Sequence, residues 1–112
     1  RQLDLDERAA VAAFRDEAEW RPGTARDRLL AAADGRWAVS LEYMARFRPT
    51  CLNRCIRVVA IDDAAALPAL LAPHRAHLEC AGLAAAPPRA AELAALLGAA
   101  GVHRVCALGT MQ

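Results

Sequence analysis

The sequence predicts an α/β fold in which helices pack on a mainly parallel sheet, preceded by N-terminal helices. From Ile56 onward, β-rich runs and helical runs alternate in the order β-α-β-α-β, with short connections. Residues 37–44 alternate with the period of a strand. Residues 5–20 repeat apolar side chains at helical spacing behind a capping signal. Together these patterns indicate a helical segment at 1–35 and an α/β portion at 36–112.

The N-terminal segment is predicted to contain two helices. Asp4 and Glu7 have the spacing of a capping box, so a helix is expected from Leu5 to Trp20. The Pro22–Gly23 pair ends it. Thr24 is then predicted to cap a second, shorter helix that stops near Asp34 and Gly35.

Two strands are predicted in the middle of the chain. In the strand from Trp37 to Met44, Trp37, Val39, Leu41 and Tyr43 point one way, and Ala38, Ser40 and Glu42 point the other. Residues 56–61 form an almost continuous apolar run, as expected of a strand covered on both faces. The later elements are a helix after Asp62 or Asp63, a strand at 78–83, a helix from Pro87 to Gly98 or Gly101, and a strand at 102–108.

Length and composition indicate a piece of one domain. The chain has 112 residues, few aromatic side chains and much alanine, which buries little area per residue. It begins at Arg1, and its last residues follow directly on an apolar run, so both ends look cut. We therefore expect an internal or C-terminal fragment of a larger protein, one that depends on missing neighbours for part of its stability.

Charge and hydropathy exclude several classes of function. The net charge is +1, from 14 basic and 13 acidic residues scattered along the chain, so nucleic-acid binding has little support. The chain has no signal peptide and no apolar run long enough for a membrane span, which predicts a cytoplasmic protein with free thiols. Every basic residue is arginine, and alanine is abundant, as expected of a GC-rich bacterial genome.

No complete catalytic or metal-binding motif is present. Cys51 and Cys55 form a C-x₃-C pair without the second ligand pair that a structural zinc site needs. His74, His77 and Cys80 recur every three residues, but Pro73 argues against the helix that would align them. Phosphate-binding loops of the G-x-G-x-x-G and G-x-x-x-x-G-K-[ST] types are missing.

Of the four cysteines, Cys51 has the sequence neighbourhood that most favours a reactive thiol. Cys51 lies in a loop with Arg46, Arg48 and Arg54 nearby in sequence, and positive charge favours the thiolate. No local Ser, His or Glu completes a mechanism, so an independent cysteine-dependent enzyme is the least favoured interpretation. Cys80 and Cys106 lie in apolar strand-like runs, where cysteine usually behaves as a small hydrophobic residue.

Several segments of the second half of the chain carry a family resemblance: RVVAIDD at 57–63, LLAPHRAHL at 70–78, CAGL at 80–83, RAAELAAL at 89–96 and GVHRVCALGTM at 101–111, with weaker likeness at 37–39 and 52–54. These segments resemble the late part of the LuxC-type fatty acyl-CoA reductases of bacterial bioluminescence. The same order of elements occurs in the related aldehyde dehydrogenase superfamily. The resemblance implies that the chain is part of an aldehyde dehydrogenase-like catalytic domain.

This resemblance implies that the parent protein reduces a fatty acyl-CoA to an aldehyde with NADPH, through a cysteine thioester. The family's catalytic cysteine and dinucleotide site lie upstream of the matched region, so this piece is expected to be inactive alone. The loop at Asn53 and Arg54 is the part expected nearest the site, where Arg54 would meet a phosphate of the cofactor or of coenzyme A. The resemblance leaves open whether the parent protein forms a homo-oligomer. The alternative is a non-enzymatic α/β module that binds a ligand or partner.

Overall fold

The computed structural model describes residues 1–111, and the chain divides into two compact units, Arg1–Ile61 and Asp62–Gln112. Each unit has its own sheet, and each sheet contains a parallel strand pair. This mixture of helices and parallel strands confirms the predicted α/β class. The predicted division between a 1–35 segment and a 36–112 portion of a larger domain stays a prediction.

The first helix, α1, spans Leu5–Trp20, the same residues that the sequence predicts. The Asp4 carboxylate accepts a hydrogen bond from the Glu7 backbone N–H at 2.8 Å, and the Glu7 carboxylate accepts one from the Asp4 N–H at 2.9 Å. Two N–H groups that the helix itself cannot pair are thereby satisfied. The inner face of α1 joins the core of the first unit, which consists of Leu3, Val11, Phe14, Ala38 and Cys55.

The prediction of a second N-terminal helix is wrong, because residues Arg28–Ala31 form strand β1. The Thr24 hydroxyl donates to the Asp27 carboxylate at 2.8 Å, and the Asp27 N–H donates to the Thr24 carbonyl at 3.1 Å. Thr24 therefore closes a turn instead of capping a helix. Antiparallel pairing with the next strand, β2 (Ala38–Glu42), then supplies the backbone partners of β1.

Strand β2 is the centre of a three-stranded sheet, between β1 and the parallel strand β3 (Cys55–Val59). Its predicted alternation is confirmed, but the most buried face is the one with the polar residues. Ser40 and Glu42 are 1% and 2% exposed, whereas Val39 and Leu41 are only half-buried. The buried polar groups are tolerated because side chains from other segments provide their hydrogen bonds.

The expectation that β3 is covered on both faces is also wrong. Ile56 and Val58 are 57% and 45% exposed, while Cys55 in the same strand is 5% exposed. Alternate residues of a strand point to opposite faces, so only the face that carries Cys55 and Arg57 is packed against the α1 side of the sheet.

The second unit contains the remaining elements in the predicted order. Asp63 caps a 3₁₀ helix, Ala64–Ala66, which continues into α2 (Leu67–Leu71) and a second 3₁₀ helix, Ala72–His77. Strand β4 (Cys80–Leu83), helix α3 (Pro87–Ala100) and strand β5 (Arg104–Ala107) follow, with β4 and β5 parallel. In the described residues β3 pairs with β2 and not with β4, so the predicted series of strands from Ile56 onward forms two sheets.

Packing of α3 against the sheet gives this unit its core. Leu71, Leu97 and Ala100 are its buried residues. The helix begins at Pro87, where a missing N–H costs nothing, and ends at Gly101 in the left-handed conformation with φ of 102°. A side chain at position 101 would meet Arg75, whose guanidinium donates to the Ala99 carbonyl at 3.1 Å.

Candidate functional site

The predicted site residues Asn53 and Arg54 lie in the loop that enters β3. Leu52, Asn53 and Arg54 all have positive φ, at 64°, 39° and 62°. Non-glycine residues pay about 1–2 kcal/mol each for this left-handed conformation, and such strain is concentrated at functional sites. Three in succession make this loop the most strained backbone in the described part of the chain.

Backbone hydrogen bonds hold the strained loop in place. The Cys55 N–H donates to the Leu52 carbonyl at 2.7 Å, and the Ala38 N–H donates to the Arg54 carbonyl at 3.3 Å. These bonds connect the loop to the start of β2 and β3, so its conformation is fixed by the sheet. Leu52 is 77% exposed at the loop tip, which means that apolar burial does not explain the loop's shape.

Arg54 presents its guanidinium at the surface. Its Nη2 donates a hydrogen bond to the Arg1 backbone carbonyl at 2.7 Å. Within residues 1–111, Arg54 forms no ion pair with a carboxylate. A guanidinium has five N–H donors, so most of this group's capacity remains for another acceptor. Asn53 is half-buried beside it, with its carbonyl 3.9 Å from the Cys55 thiol.

Cys55, which directly follows this loop, is a poor nucleophile. Burial and, to a smaller extent, the neighbouring Cys51 thiol raise the pKa of Cys55 to about 12. Cys55 therefore stays protonated near neutral pH, and it belongs to the core of the first unit. Cys51 is half-buried and packs against that core. The structure places no histidine of the first unit beside Cys51, because none of the three histidines precedes residue 74.

A buried cluster of charges lies at the other end of β2. The Glu42 carboxylate pairs with Arg57 at 2.9 Å, Arg21 at 3.2 Å and Arg48 at 3.5 Å. The Ser40 hydroxyl donates to the same carboxylate at 2.8 Å. The sequence pattern placed Glu42 on the face of β2 opposite Val39 and Leu41, but it did not predict that arginines from three other segments would converge on it.

Glu17 and Asp27 complete the cluster. Glu17 pairs with Arg48 and, at 2.8 Å, with Arg57. Burial raises the pKa of Glu17, but hydrogen bonds and positive charge from Arg57 and Arg48 outweigh it, and the pKa lies below its usual value. The same pairing raises the pKa of Arg57 against the effect of burial. Glu17 and Arg57 are therefore both stabilised in their charged forms.

Asp27 connects the cluster to the backbone. Its carboxylate accepts hydrogen bonds from the Tyr43 N–H at 3.0 Å, the Thr24 hydroxyl at 2.8 Å and Arg21 at 3.0 Å. The Tyr43 N–H and the Thr24 hydroxyl lower the pKa of Asp27 to about 2. The cluster thus contains three arginines and three carboxylates that neutralise one another, which is the arrangement of a structural support.

The cluster and the Asn53–Arg54 loop lie at opposite ends of the parallel pair. Ala38 pairs with Cys55 at the amino end, next to Arg54, and Glu42 pairs with Val59 at the carboxyl end. The structure therefore does not bring the predicted site residues together with the buried carboxylates. An acid–base role that combines Arg54 with Glu42 is excluded by this separation, because four residues of strand span more than 10 Å, at about 3.3 Å per residue.

In the second unit, His74 and His77 lie in the 3₁₀ helix Ala72–His77, and Cys80 starts β4. Within residues 1–111 no group of three or more His, Cys, Asp or Glu side chains is placed to hold a metal ion. No helix in that range is long and apolar enough to cross a membrane.

Comparison with known proteins identifies the family. The profile of the family described as acyl-CoA reductase (LuxC) matches residues 1–112, the whole chain. Curated proteins and solved structures give no match. The family match agrees with the α/β architecture and with the segments that resemble LuxC-type reductases. The chain belongs to the LuxC family of acyl-CoA reductases.

Proposed function

We propose that this chain is the late part of an NADPH-dependent reductase that converts a fatty acyl-CoA to an aldehyde, and that it is inactive alone. The observation that supports the proposal is the family match over all 112 residues. The raised pKa of Cys55, beside the Asn53–Arg54 loop, is consistent with a nucleophile supplied from elsewhere in the parent protein.

The proposed reaction divides acyl transfer into two steps. A cysteine thiolate of the parent protein attacks the thioester carbonyl of the acyl-CoA, coenzyme A leaves as its thiolate, and an acyl-enzyme thioester remains. NADPH supplies the hydride that reduces this thioester to the aldehyde and regenerates the cysteine. None of the four cysteines of this chain is assigned to that role.

Asn53 and Arg54 are proposed to contact a phosphate of NADPH or of coenzyme A. The exposed guanidinium of Arg54 suits a phosphate because its planar N–H groups bind two oxygens at once. The strained loop keeps the group at a fixed position, which reduces the ordering cost of binding. Asn53 adds an amide donor next to it.

The first test uses the complete reading frame that contains this chain. We expect NADPH oxidation that depends on added acyl-CoA, with trapped aldehyde as product, and a rate that varies with acyl chain length. A parallel assay with NADH determines the cofactor preference. If a folded, complete protein oxidises neither cofactor with any acyl donor, the non-enzymatic binding module becomes the better interpretation.

The second test concerns the loop. We expect Arg54→Ala to raise the KM for NADPH or for acyl-CoA by about 10- to 100-fold, the effect of losing one charge-assisted hydrogen bond pair. Arg89→Ala is the matched control, since Arg89 is also an exposed arginine but pairs with Glu92 on α3. An unchanged KM for both ligands in Arg54→Ala would remove this residue from the site without affecting the family assignment.

A further inference from the structure

The outer face of the two-stranded sheet in the second unit carries two cysteines close together. The Cys80 and Cys106 sulfurs are 3.9 Å apart, and both side chains are half-buried. Cys106 pairs in register with Gly82, two residues beyond Cys80, so both thiols point to the same face. The core residues of this unit pack against Ala81, Leu83 and Val105, which belong to the opposite face.

A third sulfur reaches this face from the end of the chain. After β5 the backbone reverses, with Gly109 at φ of 91° and the Thr110 N–H donating to the Ala107 carbonyl at 3.0 Å. Arg104 supports the reversal by donating to the Thr110 carbonyl at 3.2 Å. As a result the Met111 sulfur lies 2.8 Å from the position that a Cβ on Gly82 would occupy. The missing side chain of Gly82 is therefore what makes room for the thioether.

A disulfide fits this pair poorly. Strands are about 4.8 Å apart and rise about 3.3 Å per residue, so an offset of two residues places the Cα atoms of Cys80 and Cys106 about 8 Å apart. Disulfides need Cα atoms within about 6.8 Å, and closing the remaining gap would require the strands to shift.

A shared metal ion fits the same spacing. Two sulfurs that each lie about 2.3 Å from one ion are separated by about 3.8–4.0 Å in tetrahedral or trigonal geometry. The observed 3.9 Å falls in this range. Zinc prefers four strong ligands, whereas soft thiolate and thioether sulfurs select copper(I). Three sulfurs without a nearby histidine or carboxylate ligand within residues 1–111 favour the softer ion of lower coordination number.

We propose that Cys80, Cys106 and Met111 form a binding site for a soft, thiophilic metal ion of the copper(I) type. Binding converts two thiols into two thiolates, forms two metal–thiolate bonds and one metal–thioether bond, and releases two protons to solvent, with no change in oxidation state. Because a bare pair of thiolates this close would repel, the ion stabilises a state that the free protein avoids. The affinity consequently increases with pH.

The test is a titration of the reduced, full 112-residue chain with copper(I) under anaerobic conditions, against a competing chromophoric chelator. We expect one ion per chain. Cys80→Ser and Cys106→Ser should each lower the affinity by at least about 100-fold, because either change removes a thiolate ligand. Met111→Leu should lower it by about tenfold, because the thioether is a weaker ligand.

Two further variants separate this site from general thiol capture. Cys51→Ser breaks the other cysteine pair and should leave the affinity unchanged. Gly82→Ala keeps all three sulfurs but places a methyl group against Met111, so it should reproduce the effect of Met111→Leu with an unchanged circular dichroism spectrum. Loss of binding in Cys51→Ser, equal binding in every variant, or no binding against the competitor would each overturn the proposal. Rapid formation of a Cys80–Cys106 disulfide by mild oxidation, detected by mass spectrometry, would do so as well.

Discussion

The two compact units differ in what their interiors contain. In the first unit, Glu42 is almost fully buried and is paired with three arginines from separate segments. In the second unit the core cluster consists of Leu71, Leu97 and Ala100, with further aliphatic side chains around it. The first unit therefore depends on a buried charge cluster in addition to its apolar core, and the second on apolar packing. This difference predicts different sensitivities to substitution, pH and backbone change.

The largest effect is expected at Glu42. Glu42→Gln keeps the shape of the side chain but leaves three arginines without their shared carboxylate, which should lower the free energy of unfolding by about 3–5 kcal/mol. This change in the free energy of unfolding is measured by denaturant unfolding with tryptophan fluorescence as the signal, because Trp20 and Trp37 both belong to the first unit. Glu92→Gln is the control, since it removes an exposed pair on α3 worth less than about 1 kcal/mol. Equal effects of the two substitutions would contradict the contrast between the units.

The next largest effect is expected in the apolar core of the second unit. Leu97→Ala should lower the free energy of unfolding by about 3 kcal/mol, because it deletes buried methyl groups where α3 meets the sheet. The loss is measured as faster hydrogen exchange of the α3 backbone amides. Leu108→Ala, at a side chain 65% exposed, is the matched control and should change exchange little. Unchanged protection of α3 in Leu97→Ala would show that this core does not stabilise the helix.

A smaller and opposite effect is expected in the strained loop. Leu52→Gly should raise the free energy of unfolding of the first unit by about 1 kcal/mol, because glycine adopts a positive φ without steric cost. The leucine side chain is exposed, so little packing is lost. Met44→Gly, at another exposed position of the same unit but without a positive φ, should not stabilise. A loss of stability in Leu52→Gly would mean that the loop is not strained in solution.

The smallest effect is expected in the pH dependence of stability, through protonation of Asp27 in acid. Asp27 has a folded pKa of about 2 against an ordinary value of 3.8, so its contribution to stability is fully present above 3.8 and is lost as the pH falls toward 2. Asp27→Asn should therefore move the acid unfolding midpoint of the tryptophan signal upward and flatten its pH dependence below 3.8. Asp62→Asn, an exposed change in the other unit, should not. An acid midpoint that both variants shift equally would contradict a specific role of Asp27.

The sequence predicted best those elements whose signals are local. The capping box at Asp4 and Glu7 determined the start of α1, and the proline pair at 87–88 with Gly101 determined the limits of α3. These signals act through the backbone within one turn, so they need no knowledge of distant residues. The strand order β3, β4, β5 along the chain was likewise correct.

The errors came from long-range partners. Residues 28–31 have leucines at spacings compatible with a helix, but hydrogen bonds from β2 make them a strand. Ser40 and Glu42 are polar, yet they are buried because Arg21, Arg48 and Arg57 converge on the Glu42 carboxylate in the folded chain. Arg21 and Arg57 lie 15 or more residues from Glu42 along the sequence, so no local pattern announces these pairs. Hydrophobic alternation cannot identify such a buried polar face. Asn53 and Arg54 came from family resemblance, and the strained loop adds a physical reason to test them.

The shared carboxylate of Glu42 also has a consequence for how this family can change in evolution. Loss of one arginine leaves Glu42 with two partners, whereas loss of Glu42 takes a shared partner from three arginines at once and leaves them only Glu17 and Asp27. The tolerated order of substitution is therefore asymmetric, with arginines replaced first and the carboxylate last. Among relatives, an apolar residue at position 42 should occur only where at least one of positions 21, 48 and 57 has already lost its charge, because Glu17 and Asp27 can balance only two arginines.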